Sequence, residues 1–297
     1  MELSLALGGG GAKGNAHFGV IRCLEKEGFK IKAIAGASAG GLFGSLYAAG
    51  YGPDEIIERF QKIDQSQLYG LGKGQGPSLL GTEGVEHLLS DMLGDRRFED
   101  LRIPFAVTAV DLKSGREVVI RQGRLIDALL ATMAFPGIFP PREWHGYLLV
   151  DGGVLDNVPV CVARQLAPNL PVVAVVLSKP LETEDQVDFP IAFWDHTPML
   201  KPIARLRVAQ ALNVFLNSIE IGGRGLTELR LKIDQPDVII RPDVTEIGLL
   251  DKVDVAEVAL KGEQAAQAAL PEIRQAGSWR GGLRRWTRQT FDIWHGT

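Results

Sequence analysis

The stretch Leu5-Ala-Leu-Gly-Gly-Gly-Gly-Ala-Lys-Gly14 decides how the rest of the chain is read. A short apolar run ends in four consecutive glycines and passes directly into a helical pattern. Glycine loses more backbone freedom on ordering than any other residue, so such a run implies that bare main chain is needed there. Three ligands need it: a dinucleotide, a nucleoside triphosphate, or the negative oxygen of a reaction intermediate. Gly9-x-Gly11-x-x-Gly14 matches the dinucleotide fingerprint literally, but that fingerprint also requires an acidic residue about 20 positions on, at the end of the second strand. The second strand here ends Ile34-Ala-Gly-Ala-Ser-Ala-Gly40, without a carboxylate. The nucleoside-triphosphate loop fails as well, because Lys13 precedes Gly14 rather than the Ser or Thr that binds magnesium.

The end of that second strand supplies the third reading. Gly36-Ala-Ser38-Ala-Gly40 is G-x-S-x-G at a strand-to-helix junction, where small neighbours let the chain turn sharply and push a hydroxyl into the open. The helix behind it aims its dipole and free amides at the same point. Taken alone, the motif serves equally well a Ser38 that only caps the helix. Beside the glycine loop, the nucleophile reading gains weight. Two adjacent βα turns on one edge of a parallel sheet bring their loops together, and bare amides next to a hydroxyl describe an oxyanion hole.

Working outward, strands are predicted at 3–7, 31–36, 104–110, 117–121, 147–150 and 172–177. Helices are predicted at 14–28, 38–49, after Pro53, and at 82–93, 124–134, 158–167, 203–220 and 254–276. Wholly apolar strands interleaved with helices indicate an α/β fold, three-layer α/β/α with a largely parallel central sheet. The polar, glycine-rich stretch 65–78 reads as a surface loop, and the irregular stretch 181–200 as a segment overhanging a pocket.

Composition sets bounds. With 297 residues, 45% hydrophobic and 23% charged, the chain has the content of a globular protein able to bury a large core. A formal charge of −4 argues against nucleic acid as a partner. Cys23 and Cys161 read as reduced, buried thiols. No export peptide and no run of about 18 apolar residues is visible, so a cytoplasmic protein is expected.

A nucleophilic serine needs a proton acceptor. Of the histidines, His17, His87, His145, His196 and His295, none sits in a telling motif, and His17 reads as a packed or solvent-facing ring. Asp151 follows the apolar strand Tyr147–Val150 and precedes Gly152-Gly153, a turn that exposes its carboxylate at the sheet edge. It also fits an ordinary turn aspartate. Asp111 is the rival, although a hairpin turn through "DLKSG" accounts for it.

"GGGGAKG", "GASAG", "ATMAFPGIFPP" and "DGG", in that order, resemble the patatin-like phospholipases, closely over residues 3–165 and more thinly toward 250. The resemblance implies a Ser–Asp dyad without histidine, carried onto Ser38 and Asp151. It also implies an oxyanion hole from the amides of Gly10 and Gly11, with Ala12 as a further donor, and no cofactor or metal. Gly9, Gly14, Gly36, Gly40, Gly152 and Gly153 are the motif glycines. Thr132 stands where relatives often carry serine, with little consequence expected, and Lys13 receives no role. "AFPGIFPP" (134–141) is read as an apolar wall near an acyl chain. The expected activity is hydrolysis of lipid carboxylic esters through an acyl-enzyme. The alternative is a catalytically silent lipid-binding or regulatory protein on the same fold.

The domain reading is a catalytic core at 3–165, the remainder of the same domain at 166–276 with a lid over 181–222, and a tail at 277–297. The last twenty residues hold three of the five tryptophans, with arginines on the opposite helical face. That pattern suits peripheral membrane contact through 278–297 or a terminal helix docked on the domain.

Overall fold

Glu2–Leu7 forms the first strand, β1, and both of its faces are covered. Leu3, Leu5 and Leu7 point to one side and Ser4 and Ala6 to the other, all fully buried, as expected of a parallel strand between two helical layers. The computed structural model describes residues 1–65, 68, 78, 80–180, 202–278, 281 and 282. The remaining strands are β2 (Lys30–Gly36), β3 (Phe105–Asp111), β4 (Arg116–Ile120), β5 (Arg142–Trp144), β6 (Tyr147–Asp151), β7 (Val172–Val175) and β8 (Val238–Ile240). The helices are α1 (Ala16–Lys26), α2 (Ala39–Ala48), α3 (Pro53–Gln61), α4 (Glu83–Leu93), α5 (Leu125–Thr132), α6 (Val160–Leu166), α7 (Pro202–Asp234) and α8 (Val255–Ala276).

Hydrogen bonding links the strands in the order β5-β6-β3-β2-β1-β7-β8, with β4 also paired to β3. β3, β2, β1, β7 and β8 are parallel, whereas β4, β5 and β6 join through antiparallel pairs. The two faces differ in side-chain size. Ala6, Ala35, Ala106 and Ala174 lie in register across four adjacent strands and form a flat row. Val160, Val162 and Ala163 of α6 and Leu231 of α7 pack on that row. The opposite face carries Leu5, Leu7, Ile34, Val107, Val173 and Val175, which meet Phe18, Val20, Phe43, Val258 and Ala259 from α1, α2 and α8. The small face lets one helical layer approach closely, while the large face carries most of the core.

This is the α/β architecture expected, and two details correct the sequence reading. The helix predicted to end at 220 runs to Asp234, although Gly222, Gly223 and Gly225 lie inside it. Those glycines face open space, and the next turns are held by Leu231 in the core and by Arg230, whose guanidinium donates to buried Asp156. That anchoring outweighs a propensity cost of about 1 kcal/mol per glycine. β5 and β8 are three residues each and were not predicted, since periodicity is unreadable at that length. α8 matches the helix predicted at 254–276 and continues through Pro271 near its C-terminal end. Most of the loop at 65–78, the overhanging segment at 181–200, the first part of the lid at 181–222 and nearly all of the 278–297 tail lie outside the described residues. Among the described residues, no helix is long and apolar enough to cross a membrane.

Candidate active site

The site is built by one strand acting as a ruler. β3 pairs with β2 through Phe105, Ala106 and Val107, and with β6 through Ala109, Val110 and Asp111. Val107 faces Gly36 on one side and Ile120 of β4 on the other, while Ala109 faces Val118 of β4 and Asp151. Since β4 occupies one edge throughout, β2 and β6 must share the opposite edge, running toward each other. Their carboxyl ends, Gly36 and Asp151, therefore face register positions two residues apart, or roughly 7 Å along the strand at ~3.4 Å per residue. Ser38 follows one end and Asp151 forms the other, although the two are far apart in sequence.

Ser38 has φ 51° and ψ −121°, a left-handed conformation that side chains other than glycine rarely adopt. The turn exists because Gly40 is bare: a Cβ there would collide with the Leu7 carbonyl. Gly36, in turn, would strike the Gly40 carbonyl. The Ser38 side chain makes no capping hydrogen bond to α2, so the simple cap is not what this serine forms. Its amide donates instead to Thr132 Oγ1 at 2.9 Å.

Asp151 is buried, with 2% of its surface exposed. Its amide donates to the Ala134 carbonyl at 3.0 Å, and its Oδ1 accepts the Gly153 amide at 2.7 Å. Burial pushes its pKa up to about 6, with the Ser38 hydroxyl and the Gly153 amide pulling in the opposite direction. Oδ2 has no hydrogen bond of ordinary geometry, so the Ser38 hydroxyl acts on this carboxyl through a looser contact. Contacts of this kind tighten when substrate aligns the groups. Asp111 behaves differently. Its oxygens accept from the amides of Lys113, Ser114 and Leu148 and from the Ser114 hydroxyl, which hold its pKa down to about 2. It fastens the hairpin, as its sequence context suggests.

The glycine loop runs alongside Ser38. The amides of Gly8, Gly9, Ala12 and Lys13 donate to the carbonyls of Val175, Asn157, Leu249 and Gly10 in turn. Among the described residues, the Gly10 and Gly11 amides have no such acceptor. The Ala12 amide, expected as a third donor, is committed to Leu249 at 2.9 Å. Gly11 sits at φ +57°, with no room for a Cβ against the Leu249 carbonyl. Two side chains brace the loop carbonyls: Asn15 Nδ2 donates to Ala12 O at 2.9 Å, and His17 Nε2 to Gly8 O at 2.8 Å. Burial lowers the His17 pKa to about 4, so the ring is neutral and Nε2 carries the proton for its carbonyl partner. His17 is a brace and not a base. Gly14 leaves space for the Phe43 ring, and Gly152 for the Thr108 carbonyl.

Two cavities meet at Ser38. The smaller, about 270 Å³, is lined mainly by apolar groups, among them Leu42, Phe43, Phe60, Leu88, Met133 and Phe139. The larger, about 730 Å³, is flanked by Asp151 and by the polar side chains of Lys13, Asn157, Lys179, Glu220 and Arg224. Desolvation lowers the Lys13 pKa there, partly offset by Glu220. Gly10 borders the larger cavity and Gly11 the smaller, so the two free amides straddle the junction. Phe135 lines both cavities, which puts the expected apolar wall at the site. Sequence reasoning missed Asn157, whose carbonyl ties the acid's turn to the glycine loop through Gly9 at 3.1 Å. It also missed Leu249, which comes from a distant loop.

A family model for patatin-like phospholipase matches residues 5–164. Uncharacterized NTE family proteins of Mycobacterium bovis and Mycobacterium tuberculosis are 38% identical over 161 residues, 54% of this chain and 44% of theirs. The chain thus spans less than half the length of these relatives. A lysophospholipase NTE1 of Yarrowia lipolytica is 26% identical over 290 residues, 93% of this chain and 20% of that one. Among solved structures, VipD from Legionella pneumophila superposes with a TM-score of 0.52 at 15% identity, over 91% of this chain and 66% of that one, a likeness of fold. With four ordered motifs at one crevice and a family model spanning more than half its length, this chain belongs to the patatin-like phospholipase family.

Proposed function

We propose that this chain is a serine acyl hydrolase that cleaves carboxylic esters of lipids, with Ser38 as nucleophile and Asp151 as general base. The observation that carries the reading is the Ser38 elbow, strained at φ 51° and bordering the same cavity as a buried Asp151 whose carboxyl feels the Ser38 hydroxyl. Backbone strain of this kind costs on the order of 1–3 kcal/mol and persists at sites where geometry serves function.

In the first step Ser38 Oγ attacks the ester carbonyl carbon while its proton passes to Asp151. The carbonyl oxygen becomes an oxyanion in front of the Gly10 and Gly11 amides. Collapse of the tetrahedral species breaks the ester bond, and Asp151 returns the proton to the departing alcohol. Water then attacks the acyl-enzyme by the same route, releasing a fatty acid and restoring Ser38. A carboxylate with a pKa near 4 is a weak base for a hydroxyl, and desolvation that raises Asp151 to about 6 favours proton capture. Preorganised amides carry much of the rest, each such donor being worth about 10²–10³ in kcat.

The paired cavities support a single-chain substrate. The narrow apolar one suits one acyl chain, whereas the larger one, with Lys13, Lys179, Glu220 and Arg224 at its walls, suits a polar alcohol better than a second chain. The lysophospholipase name of the Yarrowia relative fits this choice. A panel of lysophospholipid, diacyl phospholipid and monoacylglycerol, assayed for fatty-acid release with wild type and Ser38→Ala, tests the reading. Release from the single-chain esters that disappears in Ser38→Ala is expected. Equal release by Ser38→Ala, or no release and no fluorophosphonate labelling of wild type, overturns it.

A further inference from the structure

Between the two strand ends that carry Ser38 and Asp151 lies a seam. β2 stops at Gly36 opposite Val107 and β6 ends at Asp151 opposite Ala109, so Thr108 falls between the registers of both. Its carbonyl is taken by a side chain: Thr132 Oγ1 donates to Thr108 O at 2.6 Å. Thr132 Oγ1 in turn accepts the Ser38 amide at 2.9 Å. Thr132 and Thr108 are both fully buried. Two residues further on, the Ala134 carbonyl accepts the Asp151 amide at 3.0 Å. The end of α5 therefore holds the nucleophile through a hydroxyl and the acid through a carbonyl, while that hydroxyl is itself pinned to β3. The Thr132 methyl group sits in space that Gly41 leaves open, since a Cβ at 41 would come within 3.0 Å of it.

We propose that Thr132 is a positioning residue of this site: its hydroxyl, bridging the Ser38 amide and the Thr108 carbonyl, fixes the strained elbow at the register that brings Ser38 to Asp151. This rests on the roles given to Ser38 and Asp151 above. The hydroxyl is both acceptor and donor, and among the common side chains of this size only Thr and Ser supply both functions at that oxygen. An isosteric valine fills the same space but leaves a buried amide and a buried carbonyl unpaired. The elbow then relaxes toward an ordinary backbone conformation, and the hydroxyl of Ser38 moves with it. Misplacement of a reacting group by about 1 Å costs on the order of 10²-fold in rate.

The test compares Thr132→Val, Thr132→Ala and Thr132→Ser with wild type and Ser38→Ala, by kcat and KM on a lysophospholipid and by the rate of fluorophosphonate labelling. Thr132→Val and Thr132→Ala are expected to lose roughly 10–100-fold in kcat and in labelling rate at little-changed KM. Thr132→Ser is expected to keep most of both. Labelling is scored per folded molecule, so a loss of stability alone does not imitate the effect. If Thr132→Val does not fold, the Ser-against-Ala pair decides the matter on the same readouts. Wild-type kcat and labelling in Thr132→Val or Thr132→Ala, or a Thr132→Ser as impaired as Thr132→Ala, overturns the proposal. A Ser38→Ala as active as wild type instead overturns the roles on which it rests.

Discussion

Asp151→Asn should abolish turnover and make the protein more stable at neutral pH, with a gain that depends on pH in a calculable way. Asparagine is nearly isosteric, and its Oδ1 can keep the Gly153 amide that Asp151 Oδ1 accepts at 2.7 Å. What it removes is a buried charge. The Asp151 pKa stands at about 6, against an ordinary value of 3.8, so the fold binds this proton more tightly than the unfolded chain does. A group raised in this way contributes stability that is fully present below the unfolded pKa and is lost as pH climbs through the folded one. The difference of about two units, at 1.36 kcal/mol per unit, amounts to about 3 kcal/mol lost by wild type between roughly pH 4 and pH 7. The variant has no such loss. Urea unfolding at a series of pH values should therefore show a gap between variant and wild type that is small near pH 4 and grows to about 3 kcal/mol near pH 8. A gap that does not change with pH, or a wild type more stable than the variant near pH 8, refutes the reasoning. In the same window the kcat of wild type should rise with pH as the base loses its proton, with an inflection near 6.

Two further outcomes follow from the geometry. Ser38→Gly should be more stable than Ser38→Ala, because glycine adopts φ 51° without the penalty that alanine retains. Relief of about 1–3 kcal/mol exceeds the ~0.5–1 kcal/mol that glycine adds to the unfolded chain's entropy, so denaturant midpoints should separate the two, and the reverse order would contradict the strained elbow. Leu88→Trp, placed in the lining of the smaller cavity, should depress turnover of long-chain esters while sparing an acetyl ester, as measured by kcat/KM across chain lengths. An equal loss at every length would assign the acyl chain elsewhere.

What the sequence disclosed was whatever local physics determines. The apolar run at β1, the glycines behind it and G-x-S-x-G each announce a strand, a turn and a helix within a few residues, so the first two βα units could be read directly. Asp151 was legible as a turn carboxylate after a strand. Its approach to Ser38 depends on β2 and β6 meeting on one edge of β3, which is a fact of register between distant segments. Ala12 shows the same limit. Its sequence position suits an oxyanion donor as well as those of Gly10 and Gly11, but the Leu249 carbonyl, supplied by a loop more than two hundred residues away, claims its amide. Thr132 stood out only as a departure inside "ATMAFPGIFPP" with little consequence expected, and the seam at Thr108 reveals what its hydroxyl joins. The extension of α7 past three glycines likewise follows from the buried Asp156 that receives Arg230, a contact that propensity cannot anticipate.

The proposed dyad raises the question of how a serine could be activated without a histidine. In a serine triad the acid orients the imidazole, and the imidazole moves the proton. Here the proposed base is oriented by main chain at both ends: the Gly153 amide fixes Oδ1 and the Ala134 carbonyl holds the Asp151 amide, leaving Oδ2 for the nucleophile. Orientation is thus supplied by the turn, and a third side chain would add nothing to it. A carboxylate remains a weaker base than imidazole, and burial narrows that difference by raising Asp151 to about 6, close to the ordinary value for histidine. The two costs, a strained serine and a desolvated acid, are each of order 1–3 kcal/mol and both fall on the edge of β3. They can be carried there because the alanine row and the large apolar face clamp the same strands from either side.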